Sequence, residues 1–368
     1  MTKPLIIYSR KTIGEIRQCI LENYGHIKYE LPFINALCVD VPEEKVEKIK
    51  NHKRVALVSD DAEVTKLPVF LEKSRIVPEP KPPPLSNTGR RFPLQGEGVA
   101  IAIIDTGVSP HYDLIKPFNR IVAFKDFVGG IALPYDDDGH GTHVAGIAAG
   151  NGYASGKKYI GTAPDANIVA LKALDSHGSG NTSDILAAMQ WVLYKKNMFG
   201  IKVVNLSLGI VSTKDAVDPL LLGANALVKH GMTVVTAAGN SGPHKGTITS
   251  PGTSPFVITV GSANKTLDGI PDFSSRGPTP SGLHKPDVVA PGVDIISLDA
   301  KTRKQYVSQS GTSMSAPSVS GIAACLHAAF PRFGPSQVKK IILKSASPLK
   351  KQDRNVQGYG LVSRQLLE

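Results

Sequence analysis

An apolar run, Val99-Ala100-Ile101-Ala102-Ile103-Ile104, leads without interruption into Asp105-Thr106-Gly107. A strand that is apolar at every position is typical of a parallel sheet whose two faces are both covered by helices. We therefore predict a strand over Val99–Ile104. Similar apolar runs predict further strands at Ile168–Leu171, Val203–Leu208, Thr233–Ala237 and Val257–Val260.

Helical periodicity accompanies these strands. The predicted helices are Gly141–Gly150, Thr182–Lys195, Pro219–His230, Ser313–Ala329 and Pro335–Ser345. This alternation predicts an α/β fold with a doubly wound, mostly parallel sheet and helices on both faces. In such folds the functional site lies at the carboxyl ends of the strands.

The N-terminal part has a different pattern. Residues 4–60 read as β-α-β-β-α-β, which predicts a small ferredoxin-like α+β domain. A proline-rich stretch over residues 77–95 favours extended, solvated backbone and predicts a linker. We therefore divide the chain into a small domain (1–65), a linker that includes any processing site (66–97) and a large domain (98–368).

Composition and charge restrict the classes of function. The 368 residues carry a formal net charge of +11, but Lys and Arg are spread along the chain without a basic run, so we expect no nucleic-acid partner. The three cysteines are too scattered for a disulfide framework or a metal centre. The chain shows neither the apolar core of a secretion signal nor a membrane-spanning stretch, which predicts a cytoplasmic protein without a membrane partner. A secreted protein whose leader had been trimmed is the alternative interpretation.

Four segments carry side chains that suit nucleophilic catalysis. Asp105 ends the first strand, His140 lies between glycines at a helix start, Asn240 ends a buried strand, and Ser313 opens a helix rich in small residues. A serine nucleophile needs an adjacent base and donors for the oxyanion, and a helix N-terminus supplies N–H groups. Taken singly, each residue also has a structural interpretation as a turn former, a helix cap or a packed histidine. A metal site formed by His140 and His143 is poorly supported, because no third ligand lies at a suitable spacing.

The four motifs DTG, GHGTHVAG, AAGN and GTSMSAP resemble those of the subtilisin-like serine peptidases, in the chain order of that family. The resemblance extends from about Gly98 to Ser347. It implies that Asp105, His140 and Ser313 form a catalytic triad and that Asn240 stabilises the oxyanion. The expected activity is that of a serine endopeptidase acting through an acyl-enzyme.

The resemblance also implies a binding cleft for polypeptide substrates. Two segments resemble strands that pair with an extended peptide, which favours broad specificity. Leu208 and Ala237–Gly239 should line the pocket for the residue before the cleaved bond, with Ile248–Ser250 near its base, although Leu208 could equally be a core residue. The implied substrate-binding residues are Gly178, Ser179, Gly180, Ser207, Leu208, Gly209, Ala237, Ala238 and Gly239.

The N-terminal domain resembles the propeptides of this family, whose tails lie in the active-site cleft. It would then be an intramolecular inhibitor and folding chaperone, with Asp60–Thr65 running into the cleft and any cleavage between Ala62 and Gln95. A permanent accessory domain is the alternative interpretation.

The motif match does not extend to a metal site. Asp113 matches an aspartate of a calcium site in secreted members, but the loop Asn151–Lys158 departs from the family pattern and contains two lysines. We assign no metal site and require no cofactor, while a structural calcium ion elsewhere stays open. This loop and the N-terminus resemble the non-secreted bacterial branch. A silent binding scaffold, a nucleotide-binding Rossmann protein and a specialised processing peptidase remain alternatives, although no G-x-G-x-x-G follows the first strand.

Overall fold

The computed structural model describes residues 1–70, 94–211 and 217–362. The N-terminal unit has the β-α-β-β-α-β order that the sequence predicts, and its four antiparallel strands lie in the order β2-β3-β1-β4. Short 3₁₀ turns, Pro32–Ile34 and Glu43–Lys45, flank the third strand. The elements are β1 (Thr2–Ser9), α1 (Ile13–Glu22), β2 (His26–Leu31), β3 (Ala36–Pro42), α2 (Val46–Lys50) and β4 (Val55–Asp60).

Both faces of this small sheet are buried, for different reasons. Successive side chains of a strand point to opposite faces. Leu5 and Ile7 of β1 therefore pack with the two helices of the unit, whereas Ile6 and Tyr8 join an apolar cluster shared with the large unit. The small sheet is thus docked on the rest of the protein through its second face.

A seven-stranded parallel sheet forms the centre of the large unit, in the order β15-β14-β12-β10-β6-β8-β7. Five of its strands were predicted from apolar runs. The two edge strands, β7 and β15, were not predicted: β7 is buried only at its two end residues, and β15 has only four residues. The strands are β6 (Ala100–Asp105), β7 (Ile121–Asp126), β8 (Asn167–Lys172), β10 (Ile201–Leu206), β12 (Thr233–Ala237), β14 (Ile258–Ala263) and β15 (Val288–Pro291).

Helices cover both faces of this sheet. Apolar residues of α4, α7 and α8 share one core cluster with the sheet, and those of α5 and α6 share the other. The predicted doubly wound fold is confirmed. The helices are α3 (Tyr112–Ile115), α4 (His140–Ala149), α5 (Thr182–Phe199), α6 (Pro219–Lys229), α7 (Thr312–Ala329), α8 (Pro335–Ser345) and α9 (Arg354–Gln357).

The predicted strand Val203–Leu208 is in fact two strands that separate at Ser207. β10 ends at Leu206 in the parallel sheet, and β11 then pairs with other partners, because apolar character alone does not mark where a chain changes sheets. The resulting small antiparallel sheet has the order β13-β11-β5-β9, and a further hairpin joins β16 to β17. These strands are β5 (Glu63–Lys66), β9 (Ser179–Asn181), β11 (Leu208–Val211), β13 (Thr249–Ser250), β16 (Ile295–Leu298) and β17 (Tyr306–Gln309).

Most of the predicted linker (66–97) lies outside the described residues, so the division into domains stays a prediction. Its first residues, 66–70, continue from β5 and pair with the large unit. All three cysteines lie in the described part, are buried and form no disulfide bond. Within residues 1–70, 94–211 and 217–362, no helix combines the length and apolar character needed to cross a bilayer.

Candidate active site

Asp105 and His140 form a buried pair at the carboxyl edge of the parallel sheet. Asp105 is the last residue of β6, and His140 is the first residue of α4. The His140 Nδ1 to Asp105 Oδ1 distance is 2.7 Å, and each of the two side chains is 1% exposed to solvent. The carboxylate thereby places the proton of the neutral ring on Nδ1 and leaves the lone pair on Nε2. No other protein group in the described part of the chain bonds to Nε2.

A second aspartate, which the sequence analysis did not single out, fixes the loop before His140. Asp136 Oδ1 accepts hydrogen bonds from the Thr106 hydroxyl (2.9 Å) and the Gly139 amide (2.8 Å). Its Oδ2 accepts from the amide (2.8 Å) and the hydroxyl (2.6 Å) of Thr142. These bonds join the end of β6 to the start of α4 and so set the distance between Asp105 and His140. The signal in the sequence was the acidic run Asp136-Asp137-Asp138 directly before the histidine motif.

His143, one turn further along α4, has a structural role. Its ring is fully buried, and its Nε2 donates to the carbonyl oxygens of Ile295 and Val307, each at 3.1 Å. Burial lowers the pKa of His143 from 6.5 to about 3, so its ring is neutral. His143 is therefore a packed histidine, and its buried ring leaves no ring nitrogen accessible to a metal or a substrate in the cleft.

Ser313 is the second residue of α7, within the first turn, where backbone N–H groups have no acceptor inside the helix. Its hydroxyl is fully buried and donates to the carbonyl oxygen of Ser207 at 3.2 Å. The sequence analysis had expected a hydrogen bond from this hydroxyl to His140, and that bond is not formed here. The reason is geometric: the break between β10 and β11 leaves the Ser207 carbonyl free to accept the hydroxyl.

Asn240 is held in one orientation beside the start of α7. Its Oδ1 accepts hydrogen bonds from the amide (2.9 Å) and the hydroxyl (2.8 Å) of Thr312. Its Nδ2 is therefore directed away from Thr312, and it donates to the carbonyl oxygen of Pro68 at 2.6 Å. A main-chain carbonyl of the N-terminal segment thus occupies the donor that was predicted to bind an oxyanion.

The N-terminal segment fills the predicted peptide-binding cleft. β5 lies between β9 and β11 and pairs antiparallel with both: Val64 lies opposite Gly180, Thr65 opposite Ser179 and Gly209, and Lys66 opposite Leu208. Beyond β5, Phe70 exchanges two backbone hydrogen bonds with Ser310, at 2.9 and 3.1 Å. The two predicted binding strands therefore do hold an extended peptide, which belongs to the chain itself.

Apolar side chains of the segment enter the large unit. Val64 is fully buried and Leu67 is 4% exposed, while Thr65 between them is exposed. Leu67 belongs to the same apolar cluster as Ala237, and Val64 to the same cluster as Leu208, which is itself fully buried. Leu208 therefore pairs with the segment through its backbone, while its side chain packs in the core; its place in the pocket stays a prediction.

The end of β12 lies beside the start of α7, since the Gly239 amide donates to the Thr312 hydroxyl at 3.2 Å. Ala237 and Ala238 are fully buried, and Gly239 has φ = +113°, a conformation that favours glycine. A Cβ atom at Gly239 would lie 2.6 Å from the Ser275 hydroxyl. β13 and the Ile248 side chain are buried nearby, since the Thr249 amide donates to the Ala238 carbonyl at 3.0 Å.

The surroundings of Asp113 do not fit a calcium ion. Its two carboxylate oxygens accept hydrogen bonds from the Ala154 amide and the Tyr306 hydroxyl, each at 2.8 Å. The Lys157 ammonium donates to the Asn151 carbonyl at 2.9 Å, so the loop carries its own cation. Both oxygens of this carboxylate are therefore occupied by hydrogen-bond donors, whereas a calcium ion would need them as free ligands. Among the described residues, no group of three or more acidic, histidine or cysteine side chains could hold a metal.

Comparisons with known proteins agree with this arrangement. A family model described as the subtilase family matches residues 96–360. Serine protease AprX of Bacillus subtilis (strain 168) is 40% identical over 294 residues, covering 73% of this chain and 66% of AprX. M-protease of Shouchella clausii (strain KSM-K16) is 32% identical over 335 residues, covering 91% of this chain and 80% of M-protease.

The overall fold also has a solved counterpart. The crystal structure of fervidolysin from Fervidobacterium pennivorans, a keratinolytic enzyme related to subtilisin, aligns with a TM-score of 0.77 at 23% identity. The alignment covers 100% of this chain and 61% of fervidolysin, so this chain spans less than two thirds of the length of fervidolysin and of AprX. By its family match over 96–360 and its subtilisin-like fold, the chain belongs to the subtilase family.

Proposed function

We propose that the protein is a serine endopeptidase that hydrolyses polypeptides through an acyl-enzyme intermediate. The observation that carries the proposal is the buried 2.7 Å hydrogen bond between Asp105 and His140, in a chain with a subtilase match over residues 96–360. Asp105 holds the imidazole tautomer and stabilises the cation that forms when His140 accepts a proton. Ser313 is the nucleophile of this proposed triad.

The proposed reaction begins with a movement of the serine side chain. The Ser313 hydroxyl must rotate from the Ser207 carbonyl to the unpartnered Nε2 of His140, which then takes its proton as the oxygen attacks the scissile carbonyl. Such hydrogen bonds commonly tighten only when substrate is bound. His140 subsequently returns the proton to the leaving amine, and water repeats the sequence to release the acid.

Asn240 and the Ser313 amide are the proposed oxyanion donors. Thr312 fixes Oδ1 of Asn240, so Nδ2 is aimed in advance and needs no reorganisation when charge develops. The contact between Nδ2 and the Pro68 carbonyl supports this assignment, because it demonstrates reach to a carbonyl in the cleft.

The proposed substrates are polypeptides, bound as a strand between residues 178–180 and 207–209. Backbone pairing of this kind accepts many sequences, which favours a wide substrate range. Ala237, Ala238 and Gly239, together with Leu208, are proposed to line the pocket for the residue before the cleaved bond. The burial of Leu67 beside this region supports that role.

The N-terminal unit is proposed to be an intramolecular inhibitor and folding template. Its tail pairs with both proposed binding strands, β9 and β11, and accepts the hydrogen bond of the Asn240 side-chain amide, so a substrate must displace it. Beyond the tail, the small sheet is tied to α5: the Tyr29 hydroxyl donates to Asp184 at 2.7 Å, and Asp61 accepts from the Ser183 amide at 2.8 Å. A template of this kind would help the slow assembly of a parallel sheet with many non-local contacts. The predicted cytoplasmic location stays a prediction.

A fluorophosphonate probe tests the proposed activity. The purified protein should be labelled at Ser313 and should cleave an unfolded protein, whereas the Ser313→Ala variant should do neither. Ser318→Ala, on the same helix, is the matched control and should keep both properties. Hydrolysis that survives Ser313→Ala would assign the wrong nucleophile, and a folded protein without labelling or hydrolysis would favour a non-catalytic binding scaffold.

A further inference from the structure

The environment of Lys66 indicates a subsite with a specific charge. Lys66 is the last residue of β5, and its amide donates to the Gly178 carbonyl at 2.7 Å. The aliphatic part of its side chain lies directly over Gly178, since a Cβ atom there would fall 2.4 to 2.7 Å from three of its carbons. Gly178 thus leaves a trough that accommodates a long, unbranched side chain.

At the end of this trough, the Lys66 ammonium forms an ion pair with Asp138 Oδ2. The Asp138 side chain is 9% exposed and that of Lys66 is 23% exposed, so the pair is largely shielded from solvent. The other carboxylate oxygen, Oδ1, accepts the His140 amide at 3.0 Å. One oxygen of Asp138 is therefore fixed by the start of α4, and the other is presented to the cleft.

The neighbouring carboxylates have other partners. Asp136 accepts the hydrogen bonds that hold the loop before α4, and Asp137 pairs with Lys172 at 2.6 Å. Of the three consecutive aspartates, Asp138 is the one that contacts the peptide in the cleft. When β5 leaves, Asp138 loses its cation, and an arriving peptide would restore the pair only if it carries a basic side chain at this place.

The register identifies that place. Leu67 follows Lys66, is 4% exposed, and belongs to the apolar cluster that includes Ala237, one of the residues proposed to line the pocket for the residue before the cleaved bond. Asn240 Nδ2 contacts the carbonyl oxygen of Pro68, the next residue, so we take Leu67 as the residue that enters this pocket and Lys66, in the trough, as the residue immediately upstream of it. Val64, three residues before Leu67, is the other buried anchor of the segment.

We infer that Asp138 and Gly178 form a subsite that selects polypeptides with Lys or Arg immediately before the residue at the cleaved bond. The inference rests on the proposed peptidase function and deepens it, because it adds one charge-selective position to otherwise permissive backbone pairing. The Lys66 contact also makes the tail of the N-terminal unit a sample of the preferred sequence, Val64-Thr65-Lys66-Leu67.

The test compares hydrolysis of acyl-Val-Thr-Lys-Leu-p-nitroanilide with that of analogues carrying Arg, Ala or Glu in place of Lys. The 368-residue chain is suitable. The fraction of molecules with an open cleft multiplies the rate for every substrate by the same factor, so it cancels in ratios of kcat/KM. Because the ion pair is largely shielded from solvent, kcat/KM should be about tenfold higher for the Lys and Arg substrates than for the Ala substrate, and higher for Ala than for Glu by a similar factor. Raising the salt concentration to about 1 M should reduce both ratios.

Asp138→Asn should bring the Lys to Ala ratio to within about twofold of unity, while its amide oxygen can still accept the His140 N–H. Asp165→Asn, an exposed residue far along the chain with the same change in charge, should keep the full preference. Equal hydrolysis of all four substrates, or a preference that survives Asp138→Asn, would overturn the inference alone. If no substrate were hydrolysed by a folded protein, the proposed peptidase function would fail, and this inference with it.

Discussion

Truncating Leu67 to alanine should activate the full-length protein. Leu67 is 4% exposed and packs the N-terminal tail against the apolar core cluster of the large unit. Burying a leucine in this way is worth about 2–3 kcal/mol relative to alanine, which corresponds to about a 30- to 150-fold shift from the closed towards the open cleft. Hydrolysis of a short peptide substrate should increase by that factor, until every molecule is open.

The assay is the initial rate of peptide hydrolysis together with the rate of fluorophosphonate labelling, since both depend on the open fraction. Thr65→Ala, an exposed position on the same strand, is the control and should change both rates by less than about twofold. The melting temperature of the large unit should stay close to that of the parent protein. Unchanged rates in a folded Leu67→Ala variant would refute the reasoning, because the tail would then not limit access to the cleft.

Three further predictions follow from the site and its surroundings. Asn240→Ala should lower kcat by about 10²–10³, the loss known for the corresponding donor of subtilisin, with little change in KM; a drop confined to KM would contradict its role at the oxyanion. Chelation of metal ions with EDTA should leave the melting temperature within about 2 °C, because hydrogen-bond donors satisfy Asp113, and a larger fall would indicate a structural cation. The free energy of unfolding should decrease as pH falls below 6.5, because burial lowers the pKa of His327 to about 4, so that between these values the unfolded chain binds a proton that the folded chain does not. Urea unfolding should show that the free energy of unfolding depends less steeply on pH in His327→Gln than in the parent, by up to about 1.4 kcal/mol per pH unit between pH 6.5 and 4.

The sequence alone predicted the elements whose apolar pattern is long and regular. The strand Thr233–Ala237 and the helix Pro335–Ser345 begin and end where they were predicted. The edge strand Ile121–Asp126 was missed; it is buried only at its two end residues, whereas the predicted strands are buried along most of their length. The continuous strand over Val203–Leu208 was wrong, since the change of partner at Ser207 depends on contacts with segments far away in the chain.

For the active site, the motifs identified Asp105, His140, Asn240 and Ser313 as candidates, because residue type and spacing reflect the chemistry that a reaction needs. The tertiary structure decided which atoms meet. It directs the Ser313 hydroxyl to the Ser207 carbonyl, brings Asp138 to Lys66 across 72 positions, and lays the tail of the N-terminal unit between the two binding strands. Periodicity reports which side of a segment is buried, but a hydrogen bond or an ion pair depends on the relative placement of distant segments, which only the packed fold determines.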